Sequence, residues 1–155
     1  MKPNKILCPV DFSPCSDVAV EHAITLAKCF EAKLVVVHID EPPPTYAVGY
    51  AGYASVPPYE GKQDTRLEEL VIDPSVDVER EHLVGVPDSV IVRHAQEADC
   101  DLIVMGTHGR GAVAKLVLGS VAQSVLRHAK CPVIVVRDAA RERTLESKTA
   151  TETLT

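Results

Sequence analysis

The segment Met105-Gly106-Thr107-His108-Gly109-Arg110-Gly111, followed later by Gly119-Ser120-Val121-Ala122, holds the residues best suited to chemistry in this chain. Glycines let a backbone turn tightly and bring its amides against a ligand with no Cβ in the way. An apolar run ends at Met105, and Gly119-Ser120 opens a second helical pattern. With Ser120 capping that helix, the N–H groups of Val121 and Ala122 stay free to meet an anion, backed by the positive end of the helix dipole. Two amide-rich turns at the carboxyl edge of one sheet make a phosphate cradle, and open α/β sheets bind ligands at that edge. The same glycines serve equally well as plain turns and a helix break, and spacing alone does not choose between these.

The elements around this segment follow from hydrophobic pattern. Residues 5–10 form an apolar run ending at Asp11. Ser13 is a good N-cap, Pro14 suits a first helical position, and Val20, Ala23, Ile24, Ala27 and Phe30 recur at helical spacing. Residues 33–39, with the run Leu34, Val35, Val36 and Val37, read as a strand covered on both faces, as in a parallel sheet. Residues 41–63 break the rhythm with five of the eleven prolines and all four tyrosines. A brief helix is expected over 65–72, stopped by Pro74. Residues 76–84 alternate with charges on both faces, which predicts an edge strand. Gly85-Val86-Pro87 starts a helix with Val90, Ile91, His94, Ala95 and Ala98 inward, and 102–105 is another buried strand. A helical pattern over 112–129, interrupted at Gly119-Ser120, leads to a last strand at 133–136. The tail from Asp138 has seven charges, five threonines and two leucines, too little apolar surface to offset its ordering entropy, so it is expected to be mobile or a frayed helix.

Composition narrows the function classes. One chain of 155 residues is one domain, large enough for its own core. With 16 Lys+Arg against 22 Asp+Glu the net charge is −6, the wrong sign for a general nucleic-acid binder. No apolar run is long enough for a membrane span. The N-terminal run 6–10 is too short for a signal-peptide core, and the five cysteines form no C-x-x-C, so a reducing cytoplasm with buried thiols is expected.

Competing motifs fall short. Gly109-x-Gly111-x-x-Ala114 matches the dinucleotide fingerprint literally, but it follows the fourth strand rather than the first and lacks the acidic partner. No G-x4-G-K-[ST] is present. Asp11 as a phosphoryl acceptor lacks a companion carboxylate at Ser13. His38, Asp40 and Glu41 have no recognised ligand spacing and read as a surface turn. His22, His94 and His128 read as structural. His108 lies in the cradle as a contact, since no carboxylate can be assigned to orient it as a base.

The pattern Gly106-x2-Gly109-x9-Gly119-Ser120 resembles the nucleotide-binding motif of the universal stress protein family. The resemblance extends over residues 4–137 through Pro9-Val10-Asp11-Phe12-Ser13, the 35–38 run, Gly85-Val86-Pro87, Asp101-Leu102-Ile103-Val104-Met105-Gly106 and Cys131-Pro132-Val133-Ile134-Val135-Val136. It implies a doubly wound α/β fold of the adenine nucleotide alpha hydrolase type, with a five-stranded parallel sheet in the order 3-2-1-4-5. It implies ATP as ligand, in a site that includes Pro9, Val10 and Asp11, with Asp11 by the ribose. The backbone near Ile39 would meet the adenine, and Met105 and Gly106 would flank the nucleoside. His108, Gly109, Gly119, Ser120, Val121 and Ala122 would surround the phosphates. Arg110 and Lys115 are the nearby cations in sequence, so Mg²⁺ is expected to share the phosphate charge. Two departures stand out. Many relatives place a hydroxyl residue at Ala122, and segment 41–63 replaces much of a longer helix.

In that strand order Val133, Ile134, Val135 and Val136 form an edge without charge, which invites pairing with the same strand of a second subunit. The family resemblance points to the same homodimer. The expectation is a cytoplasmic ATP-binding sensor or regulator that is no enzyme, any ATP turnover being slow because no catalytic base can be assigned. The alternative is a stress-linked interaction scaffold with a vestigial site, using the Tyr-rich segment as its contact surface.

Overall fold

The computed structural model describes residues 2–43, 60–61, 64–107 and 118–138. The strands are β1 (Lys5–Val10), β2 (Lys33–Asp40), β3 (Val78–Val84), β4 (Leu102–Gly106) and β5 (Val133–Val136). The helices are α1 (Pro14–Phe30), α2 (Arg66–Glu69), α3 (Pro87–Glu97) and α4 (Ser120–His128). All five strands run parallel in the order β3-β2-β1-β4-β5. This is the expected doubly wound α/β fold.

Alternation along the central strands explains the layers, since successive side chains point to opposite faces. Ile6, Cys8, Leu34, Val36 and Val104 pack with Ala19, Val20 and Ala23 of α1. Leu7, Val35, Val37, Ile103 and Met105 pack with Ile91 of α3 and Val125 of α4. The strands are apolar throughout because both faces are covered.

Helix α1 begins as its sequence dictates. Ser13 has extended backbone, its side chain accepts the Ser16 N–H at 3.3 Å, and Pro14 follows it. The helix ends at Glu31, whose φ of 54° turns the chain into β2 while Ala32 N–H bonds Ala27 O at 2.9 Å.

The two sheet edges differ as their sequences do. On β3, Glu79 pairs with Lys33 at 2.7 Å, and Arg80 donates to Leu67 O at 3.1 Å and to Leu70 O at 3.0 Å. On β5 the side chains are apolar, and Ile134 is 39% exposed.

Several boundaries move. β3 begins at Val78 rather than Val76, which is buried just ahead of it beyond a turn whose Asp73 carbonyl takes the Val76 N–H. The expected 65–72 helix shrinks to α2, because Leu70 turns to ψ 122°. The expected burial of the thiols holds for Cys8 and Cys100 only. Cys29 is exposed on α1, and Cys15 and Cys131 are half-buried. Burial pushes the Cys8 thiol up to about 12 and Cys100 to about 11, so both stay protonated at neutral pH. Most of segment 41–63, most of the 138–155 tail and residues 112–117 of the fourth helical pattern lie outside the described residues. Among the described residues no helix is long and apolar enough to cross a membrane.

Candidate functional site

The sheet order reverses at β1, where β2 lies on one side and β4 on the other. Chains leaving the carboxyl ends of β1 and β4 therefore part company, and a crevice opens between them. That crevice is a cleft of about 430 Å³. β1 supplies Pro9 and Val10 to its wall, Asp11 follows directly after that strand, and β2 supplies Ile39. Met105, Gly106 and Thr107 come from the end of β4, and Gly119, Ser120, Val121 and Ala122 from the start of α4. Ser16 of α1 and Pro87 and Ile91 of α3 complete the described lining.

Gly106 is required by close approach. A Cβ there would lie 2.9 Å from the carbonyl carbon and the Cβ of Cys15, so only glycine lets the first turn of α1 close against the end of β4. The next residue, Thr107, is tied on both sides. Its N–H bonds Val136 O at 2.9 Å, and its carbonyl accepts the Gly119 N–H at 2.7 Å.

The start of α4 differs from expectation. Gly119, not Ser120, is the N-cap, with φ −59° and ψ 151°, and its carbonyl accepts the Gln123 N–H at 2.9 Å. Ser120 is already helical, because the bond to Thr107 holds Gly119 in the extended cap geometry. Glycine has no side chain to offer, and no side-chain cap is made. The N–H groups of Ser120, Val121 and Ala122 thus have no acceptor within the helix. These three residues line the cleft at the positive end of the helix.

On the opposite side, the Asp11 carboxylate accepts the Ser13 N–H at 3.0 Å through Oδ1. Asp11 is the one titratable side chain among the described residues lining the cleft. The β1–β2 side is apolar, with Pro9, Val10 and Ile39 joined by Pro87, Ile91 and Met105. The cleft therefore suits a ligand with a flat apolar part and an anionic part.

Comparison with known proteins agrees with this architecture. Residues 3–137 match the family described as the Universal stress protein family. This chain belongs to the universal stress protein family. A universal stress protein A homolog of Coxiella burnetii is 37% identical over 139 residues, covering 84% of this chain and 94% of that protein. A universal stress protein of Methanocaldococcus jannaschii is 34% identical over 144 residues, covering 90% of this chain and 85% of that one. The crystal structure of a universal stress protein in complex with cAMP superposes with a TM-score of 0.59 at 28% identity, covering 88% of this chain and 98% of its own.

Within this family member, α4 is linked to the entry of α3. The Ser124 hydroxyl, together with the Ser89 amide, holds the Asp88 carboxyl below its ordinary value. Asp88 directly follows the cleft residue Pro87, so this link joins the first turn of α3 to the middle of α4.

Ten of the residues singled out from sequence therefore share one cleft: Pro9, Val10, Asp11, Ile39, Met105, Gly106, Gly119, Ser120, Val121 and Ala122. His108 and Gly109 lie outside the described residues. Ser16, Thr107, Pro87 and Ile91 also line the cleft but were not marked as site residues. Pro87 and Ile91 carried a legible signal as a helix entry and an inward face, yet which face meets a cleft depends on tertiary packing. Of the residues weighed for metal, His38 donates from Nδ1 to Val10 O at 2.8 Å. Among the described residues no three His, Cys, Asp or Glu side chains converge on one point. His94 of α3 packs with Nε2 3.3 Å from Glu81 Oε1, at an angle that makes no hydrogen bond.

Proposed function

We propose that this universal stress protein binds an adenine nucleotide, ATP, in the cleft, and that occupancy rather than turnover is its output in a stress response. The observation that carries this reading is the glycine-capped start of α4, where Ser120, Val121 and Ala122 have no side-chain cap and line a cleft whose other wall is apolar. Main-chain donors at a helix start suit phosphate oxygens. Asp11 suits a ribose hydroxyl, and the Ile39 side suits a purine. The family member crystallised with cAMP, 28% identical to this chain, supports the adenine part. No Lys or Arg is among the described lining residues, so Mg²⁺ arriving with the nucleotide would offset phosphate charge.

A binding role fits this cleft because the Asp11 carboxylate, the titratable side chain among the described lining, is already engaged by the Ser13 amide. The same reading includes a homodimer in the cytoplasm. The apolar β5 edge, with Ile134 exposed, would pack against its counterpart in a second copy. A Val135→Lys variant that keeps the dimeric mass in solution would refute that interface.

Mass spectrometry of nucleotide co-eluting with the purified protein, followed by calorimetry with ATP, ADP and cAMP, tests the ligand. Gly119→Val is expected to weaken ATP binding by about 10- to 100-fold, the worth of one or more charge-assisted bonds, while the circular dichroism spectrum is kept. Equal affinity in the two proteins would remove the α4 amides from the site.

A further inference from the structure

Phe12 follows Asp11 directly and has φ 60°, in the left-handed region. A bulky residue persists there only where its surroundings hold it. The ring packs against the core beneath α1, and His38 and Arg66 contact it as well. The His38 ring lies 4.7 Å away centroid to centroid, tilted by 44°. The Arg66 guanidinium carbon stands 4.2 Å from the ring centroid. Both His38 and Arg66 are themselves fixed. His38 is bonded to Val10 O, and Arg66 is gripped by Asp64 through Nε to Oδ1 at 2.9 Å and through Nη2 to Oδ2. None of Phe12, His38, Arg66 and Asp64 lines the cleft, whereas Val10 and Asp11 do.

The turn at Phe12 is what lets Ser13 N–H reach back to Asp11 Oδ1 at 3.0 Å. The direction of the Asp11 carboxylate therefore depends on a ring seated outside the cleft. We propose that Phe12, held in contact with His38 and Arg66, is a positioning residue that aims the Asp11 carboxylate at the ribose hydroxyls of a bound nucleotide. The inference rests on the nucleotide reading given above. A planar guanidinium, not charge alone, makes this contact, because its two-pronged hold on Asp64 is one a lysine cannot make.

The test uses the full chain and two readouts. The first is hydrogen exchange of the Ser13 amide by NMR without ligand, which reports the Asp11 bond directly. The second is calorimetry with ATP and with 2′,3′-dideoxy-ATP, which lacks the hydroxyls. Phe12→Gly keeps the left-handed backbone accessible and removes the ring. It is expected to speed Ser13 exchange and to weaken ATP binding, each by about tenfold, with the dideoxy affinity unchanged. Arg66→Met keeps an apolar stem at a half-exposed position and loses the guanidinium. It is expected to move both readouts the same way by about threefold, and Arg66→Lys should restore neither. If Phe12→Gly does not fold, Arg66→Met still decides. Unchanged Ser13 exchange overturns the positioning role even where ATP binds. Equal weakening of ATP and dideoxy-ATP overturns it too, since the ring would then act by general packing. A wild-type protein that binds neither nucleotide overturns the parent reading and the ribose role with it, whatever Ser13 does.

Discussion

At the amino end of the sheet, the Asp101 carboxylate accepts the N–H groups of Asn4 and Lys5 at 2.8 and 3.0 Å. Lys5 Nζ caps Ala98 O at 2.6 Å, and Asp101 N–H bonds Lys5 O at 2.9 Å. At the carboxyl end, a glycine cap leaves the Ser120, Val121 and Ala122 amides without a side-chain acceptor, beside a cleft. Both ends belong to the same strands, β1 and β4, so strand chemistry does not distinguish them. What distinguishes them is whether a side chain of the fold has been placed to meet the exposed backbone. Where one has, the end contributes stability. Where none has, the end has donors that a ligand of the proposed kind would use.

Substitutions at the two ends can break or sharpen this contrast. The largest effect is expected for Gly106→Ala, whose added Cβ forces α1 away from β4. Urea unfolding should show a loss of about 2–3 kcal/mol, together with weakened nucleotide binding. Asp101→Ala should cost about 1–2 kcal/mol, since two amides lose a carboxylate partner at a partly exposed site, while nucleotide affinity by calorimetry stays unchanged. A drop in affinity there would blur the division between the ends.

Acid should act on the link between α3 and α4 next. The folded Asp88 pKa is depressed, chiefly by the Ser124 hydroxyl. The unfolded chain therefore binds more protons near pH 4, so this contribution is present above about pH 4 and fades as pH falls through the lower folded value. Asp88→Asn should flatten that part of the stability–pH curve, read by denaturant midpoints. The smallest effect on stability and the sharpest on function is expected for Gly119→Asp. A carboxylate at the N-cap would satisfy amides of α4 and stabilise by a few tenths of a kcal/mol, roughly the margin between good caps and glycine. It would also put negative charge where a phosphate belongs, so binding should fall below detection.

Which strands are central and which is a charged edge is legible because both signals are local, whereas the order 3-2-1-4-5 is what the family resemblance implied. Continuous apolar runs such as 34–37 mark strands covered on both faces, and the charges of β3 mark an edge. The start of α1 was readable because Ser13-Pro14 states its own cap. The cleft was readable where glycines announced it, at Gly106 and Gly119. It was not readable where lining depends on how helices dock, as for Ser16, Pro87 and Ile91. The cap of α4 was assigned to Ser120 because serine is the better capping residue, but the long-range bond from Gly119 N–H to Thr107 O decides otherwise. The left-handed turn at Phe12 had no sequence signal, since no glycine or asparagine stands there and its contact Arg66 is remote in sequence.

The double tie at Thr107 couples three elements. Thr107 O grips Gly119 N–H while Thr107 N–H is anchored to β5, so the end of β4, the start of α4 and the β5 edge share one fastening. A disturbance at the Val136 end of β5 should therefore be felt at the α4 cap, and whatever rests on that cap should feel the sheet edge.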